Sequence, residues 1–313
     1  MSEMLTSPKK IVDGLTEVFR GLTRMCEGMA EQIELLEFTS EDAEDEDIKN
    51  TLTADFECKG AAESFLEKVK GRECAFSFQA YIPMPETLSI SDPCVNELIY
   101  AAVQRYGFKL NLYPEDIQKA VKHCFWPFKQ EQYVTNSDVC MAYEIALKCR
   151  MYLPNEPENS HPGDARNNVL NNDFVKSRAE FDAVGEYALQ NVRKYGFTGW
   201  YDWRLANWGC KWEPWDVKIE HSSDKKLRIE FTTADSTPTH GLMTLSKLFP
   251  TVQLDVQYAD EDIGYNCGRA IYRNGEVTEE DIYFGGNDAV TFACRLWGYD
   301  PDEYRKQFHE DKS

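Results

Sequence analysis

Alternation of apolar and polar residues after residue 210 constrains the fold more than any other feature of the sequence. Trp215, Val217 and Ile219 alternate with polar residues, as expected for a strand with one buried face. The same pattern predicts strands over residues 227–232, 252–258, 265–273 and 276–284, with a helix over residues 239–249. Asn274-Gly275, between the last two strands, is a strong hairpin signal. These segments predict an antiparallel sheet covered by a helix.

An earlier segment, residues 50–88, supplies a matching half of the same domain. We predict short strands over residues 52–58 and 75–82 on either side of a helix over residues 61–69. The order strand–helix–strand, an interruption, then two strands, a helix and a strand is typical of the ferredoxin-like arrangement. We therefore predict an α+β fold, with a ferredoxin-like antiparallel sheet and two packed helices split between residues 50–88 and 199–285.

The remaining segments are predicted to be mainly helical. Residues 89–198 form a large helical insertion, with helices near residues 95–106, 114–121, 137–153 and 173–195. Residues 286–313 form a C-terminal helix and tail. In the N-terminal helix, residues 1–39, apolar side chains recur with heptad spacing from Ile11 to Met29. This apolar stripe has two interpretations. It packs on other helices of the same chain, or residues 8–37 pair with a second copy to form a homodimer.

Four stretches of the sequence carry a family resemblance. They are "AFSFQAYIPMPETL", "YGFTGWYDWRLANWGCKWEPWDV", "IEFTTADSTP" and "LSKLFPTVQLDVQYADEDIGYNCGRAIYRNGEV". In content and order they resemble the YubB ferredoxin-like domain family of Api-type proteins. Cys210 replaces a threonine of the family pattern, and Asp235 replaces a tryptophan-like position. The resemblance implies a ferredoxin-like fold, an origin in phages, plasmids or integrated elements, and no established enzymatic activity.

Acidic residues are concentrated at the two ends of a chain whose net charge is −20. Residues 1–50 hold 5 basic and 13 acidic residues, and residues 251–313 hold 6 and 14, so each end is −8. This distribution disfavours binding to phosphate backbones and suits a basic partner surface; the alternative is that it serves only solubility. The candidate acidic surface comprises a predicted linker, residues 40–49, and a later turn, with Glu41, Asp42, Glu44, Asp45, Glu46, Asp47, Asp260, Glu261 and Asp262.

Five of the seven tryptophans lie between Gly199 and Val217. One interpretation is a packed joint between the insertion and the sheet, because large aromatic side chains are usually buried. The other is a recognition surface, because Trp and Arg are enriched in binding hot spots. The residues of that candidate surface are Trp203, Arg204, Asn207, Lys211 and Trp212.

Catalytic and metal-binding motifs are not found in the sequence. The ten cysteines are dispersed without metal-ligand spacing, so we expect neither a metal nor a cofactor. His240, predicted at a helix start near Asp235, is a candidate anion site. No apolar run is long enough to span a membrane and no signal peptide is evident, so we expect a cytoplasmic protein of a bacterial host cell.

Three functional hypotheses follow from these observations. The leading one is a non-enzymatic accessory protein of a phage or mobile element that binds and inhibits a host protein through acidic surface. Its target would be, for example, a defence component with a basic nucleic-acid-binding surface. The first alternative is a nucleic-acid-binding module that uses sheet aromatics, namely Phe76, Phe78, Phe231 and Tyr258. The second alternative is a nucleotide-acting enzyme with a site near His240.

Overall fold

The computed structural model describes residues 46–126, 128–155, 169–172 and 174–310. The predicted N-terminal helix, its candidate dimer segment and the carboxylates from Glu41 to Asp45 lie outside the described residues. The described residues from Asp47 onward belong to one compact unit, which includes both the sheet and the helical insertion.

A six-stranded antiparallel sheet organises the described part of the chain, which confirms the predicted fold class. Its strands are paired in the order β2-β3-β1-β4-β5-β6. β1 is central, pairing Asp47 with Ala234 on β3 and Ile48 with Asp260 on β4. The strands are β1 (Asp47–Asp55), β2 (Trp215–Ser223), β3 (Lys226–Ala234), β4 (Leu254–Asp260), β5 (Cys267–Arg273) and β6 (Glu276–Tyr283).

Two helices complete the ferredoxin-like arrangement on one face of this sheet. Helix α1 (Lys59–Val69) lies between β1 and β2 in the chain. A later helix, Thr239–Leu248, connects β3 to β4. Because β3 lies between β1 and β2, and β1 lies between β3 and β4, the two strand–helix–strand units are interleaved. Both helices share one core with the inward face of the sheet. The helices contribute Phe65 and Leu242 to this core, and the sheet contributes Leu52, Ile229 and Val256.

The helical insertion occupies the connection between α1 and β2 and has its own apolar core. Its helices are α2 (Val95–Tyr106), α3 (Glu115–His123), α4 (Asn136–Tyr152) and α5 (Arg178–Tyr195). α2 and α5 approach so closely at Gly185 that an added Cβ would lie 2.4 Å from the carbonyl oxygen of Glu97. α5 begins at Arg178, later than predicted, because the Ser177 hydroxyl caps it by accepting from the Glu180 N–H.

The remaining helices follow the insertion and the sheet. They are α6 (Trp200–Asn207), α7 (Thr239–Leu248), α8 (Gly286–Trp297) and α9 (Pro301–Glu310). α8 packs on the face of the sheet opposite α1 and α7, where Ala289 and Ala293 contact Ala259 and Cys267. The Trp297 indole N–H fixes this helix by donating to the Asp260 carbonyl at 2.8 Å.

The strand predicted over residues 75–82 is wrong. This segment is an irregular turn with a single 3₁₀ turn at Phe78–Ala80, and its aromatic rings are buried in the sheet core. The Glu213 carboxylate accepts the backbone N–H groups of Phe78 and Gln79 at 2.9 and 2.7 Å, so these donors need no strand partner. The second strand of the ferredoxin-like order is therefore β2, and the insertion follows α1.

The linker predicted over residues 40–49 extends too far towards the sheet. β1 begins at Asp47, and Ile48 is fully buried. The acidic run therefore continues directly into the central strand of the sheet, because the pairing of β1 with β3 and β4 extends to Asp47 and Ile48.

Candidate functional site

The tryptophan-rich stretch is chiefly a packed joint. Trp203 is buried and Trp208 is only 1% exposed, and both belong to the sheet core. The Trp208 indole N–H donates to the Ile82 carbonyl at 3.0 Å, which satisfies its one polar atom. The prediction of Trp203 as a surface residue is therefore wrong, because its ring packs edge-on against Trp208.

Arg204 lies among three indole rings at this joint. Its guanidinium carbon is 4.9 Å from the Trp200 ring centroid, 5.0 Å from that of Trp208 and 5.6 Å from that of Trp212. The Trp200 and Trp212 rings stack with centroids 4.8 Å apart. Burial lowers the pKa of Arg204. Its Nη1 also donates to the Lys211 carbonyl at 3.2 Å, so the guanidinium is held in place by the joint.

The other predicted recognition residues are also occupied within the fold. The Asn207 amide donates to the Trp203 carbonyl at 2.8 Å, and the Lys211 ammonium lies 2.8 Å from the Asp235 carboxylate. Trp212 remains 40% exposed. Beside it lies a small pocket of 210 Å³ that also borders Trp200 and Arg204. Of the five predicted residues, Trp212 is thus the most accessible to a partner.

His240 lies in the first turn of α7, as predicted, and is exposed. Its Nδ1 is 3.2 Å from the Leu205 carbonyl oxygen, so a ring proton there is shared with the backbone. Asp235 pairs instead with Lys211. The closest described partner of the histidine is thus a backbone carbonyl and that of the aspartate is an ammonium group.

The aromatic rings required for base stacking lie inside the protein. Phe76, Phe78 and Phe231 are buried under α1 and α7, and Tyr258 is half-buried. Burial raises the pKa of Tyr258 to about 12. In this structure the rings of Phe76, Phe78 and Phe231 are therefore not accessible for base stacking.

The insertion contains a cleft that the sequence did not reveal. This insertion cleft has a volume of 990 Å³ and lies between α2, α3, the end of α5 and the start of α6. Its lining includes Val95, Leu98, Val192 and Phe197, with the Asp92 carboxylate among them. Asp92 Oδ2 accepts from the Tyr201 N–H at 3.2 Å, and burial, together with nearby Asp202, raises the pKa of Asp92 to about 6.

Two thiols in the insertion cleft are poorly suited to nucleophilic chemistry. Cys94 is buried, and burial raises the pKa of its thiol well above the ordinary range. Burial also raises the pKa of Cys124 to about 12. Both thiols are protonated at neutral pH, whereas nucleophilic attack needs the thiolate. Within the described residues, no group of His, Cys, Asp and Glu side chains is arranged to hold a metal ion.

One predicted acidic residue is not on the surface. Asp260 is 2% exposed, and its carboxylate accepts the Asp262 N–H at 2.9 Å and the Asn266 amide at 3.2 Å. It orders the turn after β4, which is why a buried carboxylate is tolerated. Glu261 and Asp262 are exposed, and Glu261 Oε1 accepts from the Asp47 N–H at 3.2 Å.

Among the described residues, strand β6 carries a dense run of exposed carboxylates, and we call this strand the acidic edge (Glu276–Tyr283). It is the outermost strand of the sheet, beside β5, and all residues before Tyr283 are exposed. Its sequence, EVTEEDIY, holds four carboxylates and no lysine or arginine. Asp281 faces Arg269 on β5, but that guanidinium makes a two-point contact with Asp255 at 2.7 Å. The four carboxylates of the strand outnumber the two basic residues opposite them on β5, Arg269 and Arg273, so the edge has a net negative charge.

These features define an α+β protein with a ferredoxin-like domain, an inserted helical region and an acidic sheet edge. Residues 214–303 match the family model described as the ferredoxin-like domain in Api92-like protein. A crystal structure of a protein api92 from Yersinia pseudotuberculosis is similar at 12% sequence identity and a TM-score of 0.35. That alignment covers 78% of this chain and 99% of the other. No curated protein matches the chain.

Proposed function

We propose that this protein is a non-enzymatic accessory protein of a phage or other mobile element. It binds a basic host protein in the bacterial cytoplasm through the acidic edge and inhibits it. A fitting target is a defence component whose basic surface normally holds DNA or RNA. No helix among the described residues has the length and apolar character needed to cross a membrane.

The observation that carries the proposal is the density of exposed carboxylates on the acidic edge. Glu276, Glu279, Glu280 and Asp281 fall within six residues and are all exposed. A strip of this kind repels phosphate backbones and attracts a surface built to hold them. Complementary charge accelerates association and makes it sensitive to salt. Occupying a nucleic-acid-binding surface is sufficient to block it, so no catalytic chemistry is required.

The test compares three forms of the protein as bait in host extract. They are the wild type, an edge variant (Glu279→Gln, Glu280→Gln, Asp281→Asn) and a control variant (Glu57→Gln, Glu63→Gln, Glu67→Gln). The control removes three exposed carboxylates near and on α1, away from the edge. We expect the wild type and the control to capture the same basic protein at about 50 mM salt, and to lose it at about 500 mM, where screening is strong.

The captured protein is then assayed for binding to nucleic acid. We expect wild-type protein to inhibit that binding and the edge variant to inhibit it at least about tenfold less, which corresponds to about 1.4 kcal/mol. Equal capture and equal inhibition by the edge variant would show that the acidic edge is not the binding surface. Capture that persists unchanged at high salt would also contradict an electrostatic interface.

A further inference from the structure

We propose that the acidic edge binds its partner by β-augmentation, so that a basic, extended segment of the partner adds to β6 as a seventh strand. This inference rests on the proposed function and specifies how the edge recognises its target. In β-augmentation, backbone hydrogen bonds provide affinity and the flanking side chains provide specificity.

The geometry of β6 leaves one side of the strand open for pairing. Among the described residues, β6 has β5 on one side and no further strand on the other. Residues Glu279–Tyr283 pair regularly with Cys267–Ile271, and the single register shift lies nearer the hairpin. In an antiparallel pair, alternate residues direct their N–H and C=O groups away from the partner strand. An eight-residue strand thus offers about four residues whose backbone groups can pair with a new strand.

The opposite edge of the sheet is a poorer template. β2 shows register shifts at both ends of its pairing with β3, and Asp216 has a φ of 50°. Bulges and irregularities of this kind are devices that protect sheet edges from unwanted pairing. β6 carries only one such irregularity, so the two edges differ in how readily they accept a strand.

The carboxylates of β6 determine which strand can pair. Charged residues at sheet edges normally prevent association between copies of a protein. Two acidic edges placed side by side would bring like charges directly opposite one another, which destabilises a strand pair. A lysine- or arginine-bearing strand converts those contacts into attractive ones. The edge therefore excludes a second copy of itself and selects a basic segment.

Apolar side chains on the same strand add contact area for the incoming segment. Ile282 is 49% exposed, and Phe284, immediately after the strand, is 86% exposed. Successive side chains of a strand point to opposite faces, so Glu279 and Asp281 lie on one face and Glu280 and Ile282 on the other. The partner segment consequently needs basic residues on both faces, together with β-branched residues that pack on Ile282.

The test uses an eight-residue peptide of lysine, valine and threonine with lysines on both faces, labelled for fluorescence anisotropy with the full chain. Two further versions of the peptide are N-methylated at alternate residues, one at the odd positions and the other at the even positions. Each version lacks the backbone N–H donors along one edge of the peptide strand and keeps those along its other edge. We expect wild-type protein and the control variant to bind the unmodified peptide. One N-methylated version should bind at least about tenfold more weakly, because several backbone hydrogen bonds are lost. The edge variant should lose at least about tenfold in affinity for the unmodified peptide.

Hydrogen exchange supplies an independent measurement on the intact protein. Binding of the unmodified peptide should slow exchange of β6 amides and leave those of β2 unchanged. Equal affinity for all versions of the peptide, or no protection of β6, would overturn β-augmentation. If capture of the host protein still depended on the carboxylates of the acidic edge, the proposed function would remain supported and only the mode of binding would be wrong. If the edge variant captured and inhibited the host protein as well as the wild type did, both the proposed function and this inference would be refuted.

Discussion

Neutralising Glu97 should stabilise the protein, and the gain should grow with pH. This residue lies in the first turn of α2, and burial raises the pKa of its carboxyl from the ordinary 4.5 to about 7. A carboxyl whose pKa is raised by folding does not lower the free energy of unfolding at pH values below its unfolded pKa, because it is protonated in both states. Its charged form destabilises the folded state progressively as the pH rises from 4.5 to 7. Glu97→Gln keeps the shape of the side chain and removes this penalty.

The magnitude follows from linkage between the two pKa values. One pKa unit corresponds to about 1.36 kcal/mol, so the penalty is about 1 kcal/mol at pH 5 and about 3 kcal/mol at pH 8. Glu97 keeps partial contact with water, so these values are ceilings. We expect the variant to be stabilised by at least about 1 kcal/mol more at pH 8 than at pH 5.

The assay is urea unfolding followed by tryptophan fluorescence at both pH values. The wild type and Glu97→Gln are compared by their midpoints, with Glu63→Gln on the exposed side of α1 as the matched control. Other titrating groups, including Asp92, are common to all three proteins and cancel in the difference. A gain that is the same at both pH values, or a loss at pH 8, would refute the proposed cost of burying this carboxylate.

Four further substitutions test the packing described above, each by its urea midpoint. Trp208→Ala should cost about 3–5 kcal/mol, because it empties a fully buried site and leaves the Ile82 carbonyl unpaired. Gly185→Ala should cost at least about 1–3 kcal/mol because its Cβ meets backbone, whereas Gly60→Ala, with open space around it in α1, should stabilise by up to about 1 kcal/mol. Arg204→Lys should cost about 0.5–2 kcal/mol and change the tryptophan emission, because an ammonium cannot replace a planar guanidinium among indole rings.

Most of the sheet could be predicted because its strands alternate with a period of two. β2, β3 and the β5–β6 hairpin were all indicated by that pattern and by Asn274-Gly275. The segment from Ala75 to Ile82 has the same aromatic alternation but is not a strand. Two of its backbone donors, the N–H groups of Phe78 and Gln79, are satisfied by Glu213, more than 130 residues away, and no local pattern reports such a contact.

The sites were harder to predict because they depend on topology. The sequence shows the four carboxylates of β6, but only the strand order shows that this strand is an open edge. The insertion cleft is lined by residues from several helices and loops that are distant in sequence, so no motif marks it. Asp260 was predicted as a surface charge because it belongs to a run of three acidic residues, Asp260 to Asp262, whereas its carboxylate is turned inward to backbone and amide donors.

The central position of β1 has a consequence for how the chain can be made. Both of its neighbours, β3 and β4, are encoded more than 165 residues later, so a nascent chain leaves the ribosome with Ile48 and Leu52 uncovered. The helices between Val95 and Tyr195 draw on nearby contacts and can assemble during that interval, whereas pairings of large sequence separation form late. A chain whose synthesis stops before Leu254 lacks β4, so one side of β1 stays unpaired and open to association with strands of other proteins.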